Sequence, residues 1–147
     1  MLLFQAMDTS ASGLTAQRLR LDVIANNLAN ANTTRTAEGG PYRREVPVLT
    51  ARHPSTFNAF FLGALAGGEI PGGVVVASIE KDPRPPKMVY DPGHPDADAR
   101  GYVAMPNVEV VSEMVDLIAA TRAYEANISS INAFKAMAAK ALEIGRG

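Results

Sequence analysis

Apolar residues recur at alternating intervals of three and four along the N-terminal part of the chain. This spacing places side chains on one narrow face of a helix, as in a coiled-coil seam, and predicts a helix over about residues 3–30. Arg18 is the one charged interruption. The seam positions are Phe4, Met7, Ala11, Leu14, Leu21, Ala25 and Leu28.

The C-terminal part repeats this pattern and predicts a second long helix. Asn107 follows Pro106 and is a predicted N-cap, Glu109 and Glu113 suit the positive end of the helix dipole, and Gly145 would end the helix. Lys135 interrupts the predicted seam. The seam consists of Val110, Met114, Leu117, Thr121, Tyr124, Ile128, Ile131, Ala138 and Leu142.

The middle of the chain is hostile to helices, because all ten prolines lie between Pro41 and Pro106. It predicts short strands and turns, including a buried strand and a loop or hairpin turn at 92–101, and Pro47 would confine the first strand to a sheet edge. The fold class is therefore α+β: long N- and C-terminal helices packed in coiled-coil fashion, with a small β-rich middle domain. The predicted strands are 42–50, 74–80 (buried), 87–91 and 102–105, and the predicted domains are 1–35, 36–104 (with a possible mobile insertion at 50–70) and 105–147.

Charge and composition narrow the possible partners. The 147 residues carry a formal net charge of −1, which gives no electrostatic footprint for nucleic acid and no basic face for an anionic membrane. The longest apolar run, at 57–68, is too short and glycine-rich to cross a bilayer. The chain has no cysteine, and its start lacks the basic region of a cleaved signal peptide.

The sequence contains no convincing active site. His94 lies near Asp91, Asp96 and Asp98, but their spacing is not that of a calcium loop, and polar residues are expected in such a turn. No serine has a GxSxG context, and the glycine pairs lack the P-loop lysine. We therefore expect no catalytic residue, no cofactor and no metal site.

Several segments together resemble the bacterial flagellar basal-body rod family, most closely its proximal rod members. They are SGLTAQRLRLDVIANNLANANTT, GGPYRREV, MVYDPGHPDADARGY and YVAMPNVEVVSEMVDLIAATRAYEANISSINAFKAM, which cover nearly the whole chain. The ANNLAN helix end and the RxYEAN motif carry the resemblance. Residues 50–70 match least.

The resemblance implies a non-enzymatic building block of the drive shaft that crosses the periplasm. Such subunits leave through the flagellar type III export apparatus without a cleaved signal, and assemble as a helical tube with their terminal helices near the axis. The implied partners are other copies of itself, other proximal and distal rod proteins, and the adapter between the rod and the membrane-embedded ring. No nucleic acid and no direct membrane insertion are implied.

The asparagines of ANNLANANTT suggest how subunits are kept in register. An amide both donates and accepts hydrogen bonds, so Asn26, Asn27 and Asn30, with Asn127 in the opposite helix, could fix the register between subunits. Alternatively, Asn30 and Asn32 simply end the helix. The predicted subunit-interface residues are Leu14, Leu21, Asn26, Asn27, Leu28, Asn30, Met114, Leu117, Arg122, Tyr124, Glu125, Asn127, Ile128 and Ile131.

Other interpretations stay open at this point. Tyr124 could be ordinary core packing, and Arg122 with Glu125 could be a solvated pair or an intersubunit bridge. The chain could be another axial subunit of the same machine, or a helical adaptor or chaperone that never polymerises. A small hydrolase using His94 is a more distant alternative.

Overall fold

The computed structural model describes residues 2–52, Phe61 and residues 72–145. Within them, helix α1 (Leu2–Ala29) and helix α2 (Val110–Ile144) form the two ends. Short strands lie between them, which confirms the predicted α+β class. Gly145 follows the last residue of α2, as expected. Apart from residues 50–52 and Phe61, the predicted insertion at 50–70 lies outside the described residues.

The strands pair in two two-stranded sheets within the described part of the chain. Strands β1 (Glu45–Ala51) and β2 (Val74–Lys81) form one sheet, and strands β3 (Lys87–Tyr90) and β4 (Tyr102–Met105) form the other. Pro47 lies in β1, whose sheet has two strands, so the proline is tolerated at an edge.

The β3–β4 pair is the predicted hairpin. It is antiparallel, with Tyr90 opposite Tyr102 and Val89 opposite Val103. The two tyrosine rings meet edge to face, with centroids 5.3 Å apart. Gly101, at a φ of 81°, precedes β4, and a Cβ there would lie 2.9 Å from the Tyr90 ring. Glycine is therefore required at this turn.

Two local predictions are wrong. Strand β2 is not buried, because most of its residues are exposed and Val75 and Ile79 are each 46% exposed. Asn107 does not cap α2: its Oδ1 accepts from the backbone N–H of Arg44 (2.8 Å), and its Nδ2 donates to the carbonyl of Arg84 (3.1 Å). The amide cross-links two segments of the middle domain instead.

The chain divides into two compact units, one assembled from three segments and the other from two. Unit 1 comprises Met1–Leu19, Leu49–Ala77 and Ala120–Gly147, and unit 2 comprises Arg20–Val48 and Ser78–Ala119. In unit 1, α2 approaches α1 closely at Gly13, where an added Cβ would lie 3.0 Å from Asn127 Nδ2. In unit 2, Val23, Ile24 and Val103 are buried.

The face of α1 that is buried differs from the predicted seam. Four of the seven predicted positions are half-buried, but Phe4, Ala11 and Ala25 are exposed. The buried residues of the described part of α1 are instead Ala16, Val23, Ile24 and Asn27. The half-buried predicted positions are Met7, Leu14, Leu21 and Leu28.

Helix α2 shows the same displacement. Leu117, Tyr124, Ile131 and Ala138 are half-buried as predicted, whereas Met114 and Ile128 are 52% and 39% exposed. Glu113 and Ala120 are buried instead. The predicted set therefore combines positions from two faces of the helix, one buried within the chain and one exposed. The exposed predicted positions are Val110, Met114, Thr121, Ile128 and Leu142.

Candidate assembly site

Asn27 lies at the centre of a buried polar cluster in unit 2. Its Nδ2 donates to the carbonyl of Glu45 (2.9 Å) and to Glu113 Oε2 (3.1 Å). Its Oδ1 accepts from the backbone N–H of Glu45 (2.9 Å) and from the Tyr42 hydroxyl (2.9 Å). One amide thus satisfies a strand residue through both of its backbone groups and ties the end of α1 to β1 and α2.

Glu113 and Arg44 form the charged part of this cluster. The Glu113 side chain is fully buried, and its Oε1 accepts from Arg44 Nε at 2.5 Å. Arg44 also reaches Asp116 Oδ2 at 3.4 Å, and Arg20 Nη2 bonds Asp116 Oδ1 at 3.2 Å. Because the buried carboxylate accepts from both an arginine and an amide, its charge is compensated.

Tyr42 and Asn26 lie at the edge of the cluster. The Tyr42 hydroxyl accepts from Asn26 Nδ2 (3.2 Å) while it donates to Asn27. Partial burial raises the pKa of Tyr42 to about 12, and the negative charges of Glu45 and Glu113 add to the effect. The phenol is held in its neutral, donating form.

Asp82 anchors a second group of charges in unit 2. Hydrogen bonds from the Arg84 side chain and backbone lower the pKa of Asp82 to about 2. The Arg44 guanidinium also lies 3.9 Å from Asp82. Asp82 and Arg84 therefore fold the segment KDPRPP, which joins β2 to β3, onto itself.

The sequence did not predict that Tyr42, Arg44 and Glu113 would form a site. The available signal was an isolated amide inside an otherwise apolar helix face, together with an acidic residue in the first turn of α2. Both are types that are rarely buried without partners. Asn27 and Glu113 are 86 positions apart, so their hydrogen bond could not be predicted from local spacing.

The remaining predicted asparagines occupy different environments. Asn30 Nδ2 donates to the carbonyl (3.0 Å) and Oδ1 (3.1 Å) of Asn26, one turn earlier, which favours the interpretation that Asn30 ends the helix. Asn127 in α2 packs against Gly13. Whether these amides also fix register between subunits stays a prediction, and the four bonds of Asn27 show that its groups are used within one chain.

An exposed apolar surface lies on the part of α2 that belongs to unit 2. Successive turns present Val111 (68% exposed), Met114, Val115 and Ile118. These side chains lie on the side opposite buried Glu113. We call these four residues the outer α2 face. Contiguous large apolar side chains of this kind mark interaction surfaces in soluble proteins.

Arg122 and Glu125 are both exposed, and neither forms an ion pair with another described residue. They do not pair with each other, although they are three positions apart on one helix. The solvated-pair alternative therefore has no contact to support it, and both charges are available to a neighbouring molecule.

The histidine alternative gains no support from the described residues. The backbone N–H of Asp96 donates to His94 Nδ1 at 3.1 Å, so the imidazole organises its own turn. Across residues 2–52, 61 and 72–145, no cluster of three or more acidic or histidine side chains could hold a metal ion. His53 lies outside the described residues. In the same residues, no helix has the length and apolarity needed to span a bilayer.

Two long terminal helices joined by short strands, with an apolar outer face and unpaired charges, define a structural subunit built for association. Two family models match the two ends: one described as flagella basal body rod protein matches residues 7–35, and one described as flagellar basal body rod FlgEFG protein C-terminal matches residues 99–144.

Curated relatives make the assignment more specific. A flagellar basal-body rod protein FlgC from Borreliella burgdorferi is 51% identical, covering 99% of each chain. The FlgC protein of Bacillus subtilis is 47% identical over 97% of this chain and 98% of its own, and that of Salmonella typhimurium is 44% identical over 99% and 100%. The chain belongs to the FlgC family of flagellar basal-body rod proteins. These relatives do not favour the adaptor or chaperone alternative.

Proposed function

We propose that this chain is a non-enzymatic structural subunit of the proximal flagellar rod, which polymerises through α1 and α2 into the shaft that transmits motor torque across the periplasm. Its neighbours would be further copies of itself and other proximal and distal rod proteins. The rod–ring adapter and the flagellar type III export apparatus would be its other partners, with export not requiring a cleaved signal. It would bind no nucleic acid and would not insert directly into a membrane.

The observation that carries this proposal is the outer α2 face. Val111 and Ile118 are 68% and 53% exposed within one chain, although burying a large aliphatic side chain is worth about 1.5–3 kcal/mol. A helix from a neighbouring subunit would cover these side chains. The match of both chain ends to rod family models supports the rod assignment.

Localisation tests the proposal directly. Basal bodies are purified after detergent extraction, and immunogold labelling determines the axial position of the chain. We expect retention in the shaft near the cytoplasmic-membrane ring. Recovery of the protein only as a soluble species, with none in basal bodies, would refute the rod assignment.

A matched pair of variants tests the surface. Ile118 and Ile79 are isoleucines of similar exposure, 53% and 46%, in α2 and β2 respectively. Ile118→Asn should lower the amount of chain retained in basal bodies, whereas Ile79→Asn should not. Equal retention of both variants would show that the outer α2 face is not used for assembly.

A further inference from the structure

Each of the two helices carries one pair of exposed charges with the same order and the same spacing. In α1, Asp8 precedes Arg18 by ten positions, and in α2, Glu125 precedes Lys135 by ten positions. Each helix therefore presents an acid and then a base, separated by about 15 Å along its axis. All four residues belong to unit 1.

These charges are largely unused within the chain. Arg18, Glu125 and Lys135 are exposed and form no ion pair with a described residue. Asp8 meets Arg52 at 3.4 Å, but both side chains are more than half exposed, so this contact contributes little. The four side chains can reach a neighbouring molecule without breaking a buried interaction.

The two helices run antiparallel in unit 2. Asn27 bonds Glu113, and Arg20, seven positions earlier in α1, bonds Asp116, which lies later in α2. Copies related by rotation about, and translation along, an axis parallel to the helices keep this relation, so α1 of one copy lies antiparallel to α2 of the next. In that arrangement, Arg18 can lie at the same height along the axis as the neighbour's Glu125. When it does, Asp8 lies at the same height as the neighbour's Lys135, because both pairs have the same ten-residue spacing.

Other pairings of helices between two copies bring fewer opposite charges together. Two copies of α1, or two copies of α2, would be parallel under the same symmetry and would place like charges side by side when level. A displacement of ten residues leaves only one favourable pair. Asp22 and Arg122, both exposed and without ion pairs among the described residues, meet in the same antiparallel register as a third pair.

We infer that α1 of one copy docks on α2 of the next copy, with Arg18 opposite the neighbour's Glu125 and Asp8 opposite the neighbour's Lys135. This inference rests on the proposed function. The contact joins different surfaces on the two copies, so it propagates along an assembly and does not close as a twofold dimer. Exposed charge pairs add little affinity individually, and their role here is to select partner helix and register.

Cross-linking tests the contact without background, because the chain has no cysteine. Cells express two versions of the full chain together, one with Arg18→Cys and one with Glu125→Cys, and purified basal bodies are treated with a short bismaleimide. A product containing one chain of each version can arise only between copies. The matched control pairs Arg18→Cys with Glu143→Cys, an exposed position on the same helix, about 27 Å away along the axis.

We expect the Arg18→Cys and Glu125→Cys product to exceed the control severalfold. Basal bodies that retain both versions but yield only products joining two Arg18→Cys chains would overturn the inferred contact and leave the rod assignment intact. Absence of both versions from basal bodies, with the unsubstituted chain absent as well, would overturn the rod assignment and the contact together.

Charge reversal provides an independent measurement. Arg18→Glu and Glu125→Arg should each weaken assembly by up to about fivefold per contact. Combining them restores an opposite-charge pair, so retention in basal bodies should return to within about twofold of the unsubstituted chain. A double variant as impaired as the product of the two single effects would show that the two residues do not meet.

Discussion

Replacing Asn27 by alanine should destabilise the isolated chain strongly, although the substitution favours helix formation. The amide makes four hydrogen bonds to three residues: Glu45, Tyr42 and Glu113. The adjacent Asn26 is a matched control. It is exposed and donates to the Tyr42 hydroxyl at 3.2 Å.

The magnitude follows from the groups that Asn27→Ala would leave without partners. The backbone N–H and C=O of Glu45 and the Tyr42 hydroxyl would each lose a partner, at about 1 kcal/mol apiece when water replaces part of the bond. Glu113, fully buried, would lose one of its two donors, which costs about 1.5–3 kcal/mol. Alanine returns about 0.5 kcal/mol through helix propensity. The expected loss is therefore about 4–5.5 kcal/mol.

Urea unfolding followed by circular dichroism measures this difference. Asn27→Ala should lower the free energy of unfolding by about 4 kcal/mol or more, and Asn26→Ala should change it by less than about 1 kcal/mol. The denaturant slope should be the same in both, because the surface exposed on unfolding is unchanged. If the two variants differ by less than about 1 kcal/mol, the buried amide is not what fastens α1 to unit 2.

Three further predictions concern pH and packing. Tyr42, with a pKa of about 12 in the folded chain, should ionise above its usual value of 10 in an absorbance titration. The stability it contributes should be lost as the pH rises from about 10 through 12, and Tyr42→Phe should abolish the ionisation step near pH 12. Asp82, with a pKa of about 2, should contribute stability that is present above about pH 4 and lost as the pH falls through about 2. Asp82→Asn should therefore make the free energy of unfolding depend less on pH in that range. Gly13→Leu should lower the free energy of unfolding by about 1–3 kcal/mol, because its side chain would occupy the space of Asn127; an unchanged melting temperature would mean that the helices separate there without cost.

The sequence predicted the helices and most of the strands well. Proline confinement and heptad spacing located α1 and α2, and the alternation of turn residues with short apolar runs located β2, β3 and β4. These signals depend only on residues that are neighbours in the sequence, so they predict the same element whatever its tertiary contacts are.

The buried faces were harder to predict, for a physical reason. Each helix has apolar residues on two sides, and a heptad stripe through Met114 and Ile128 is as regular as one through Glu113 and Ala120. Large apolar residues favour the first stripe, but close approach at Gly13 and the compensated charge of Glu113 select the second. Both depend on a partner helix that lies distant in sequence.

The polar cluster was missed because burial of a charge is improbable until its partners are known. Arg44 lies in the predicted edge strand 42–50, where an arginine is ordinarily solvated. In the structure it lies beside Glu113, 69 positions away. No spacing rule within one segment connects such residues.

The separation between Asn27 and Glu113 also orders events in time. During synthesis, Asn27 is added to the chain 86 residues before its carboxylate partner Glu113. At about 5–20 residues per second, this leaves an interval of roughly 4–17 s. Throughout that interval the Asn27 amide lacks its partner on α2, and the final segment, Ala120–Gly147, is still to come. Both compact units therefore need residues from the last third of the chain before either can be completed.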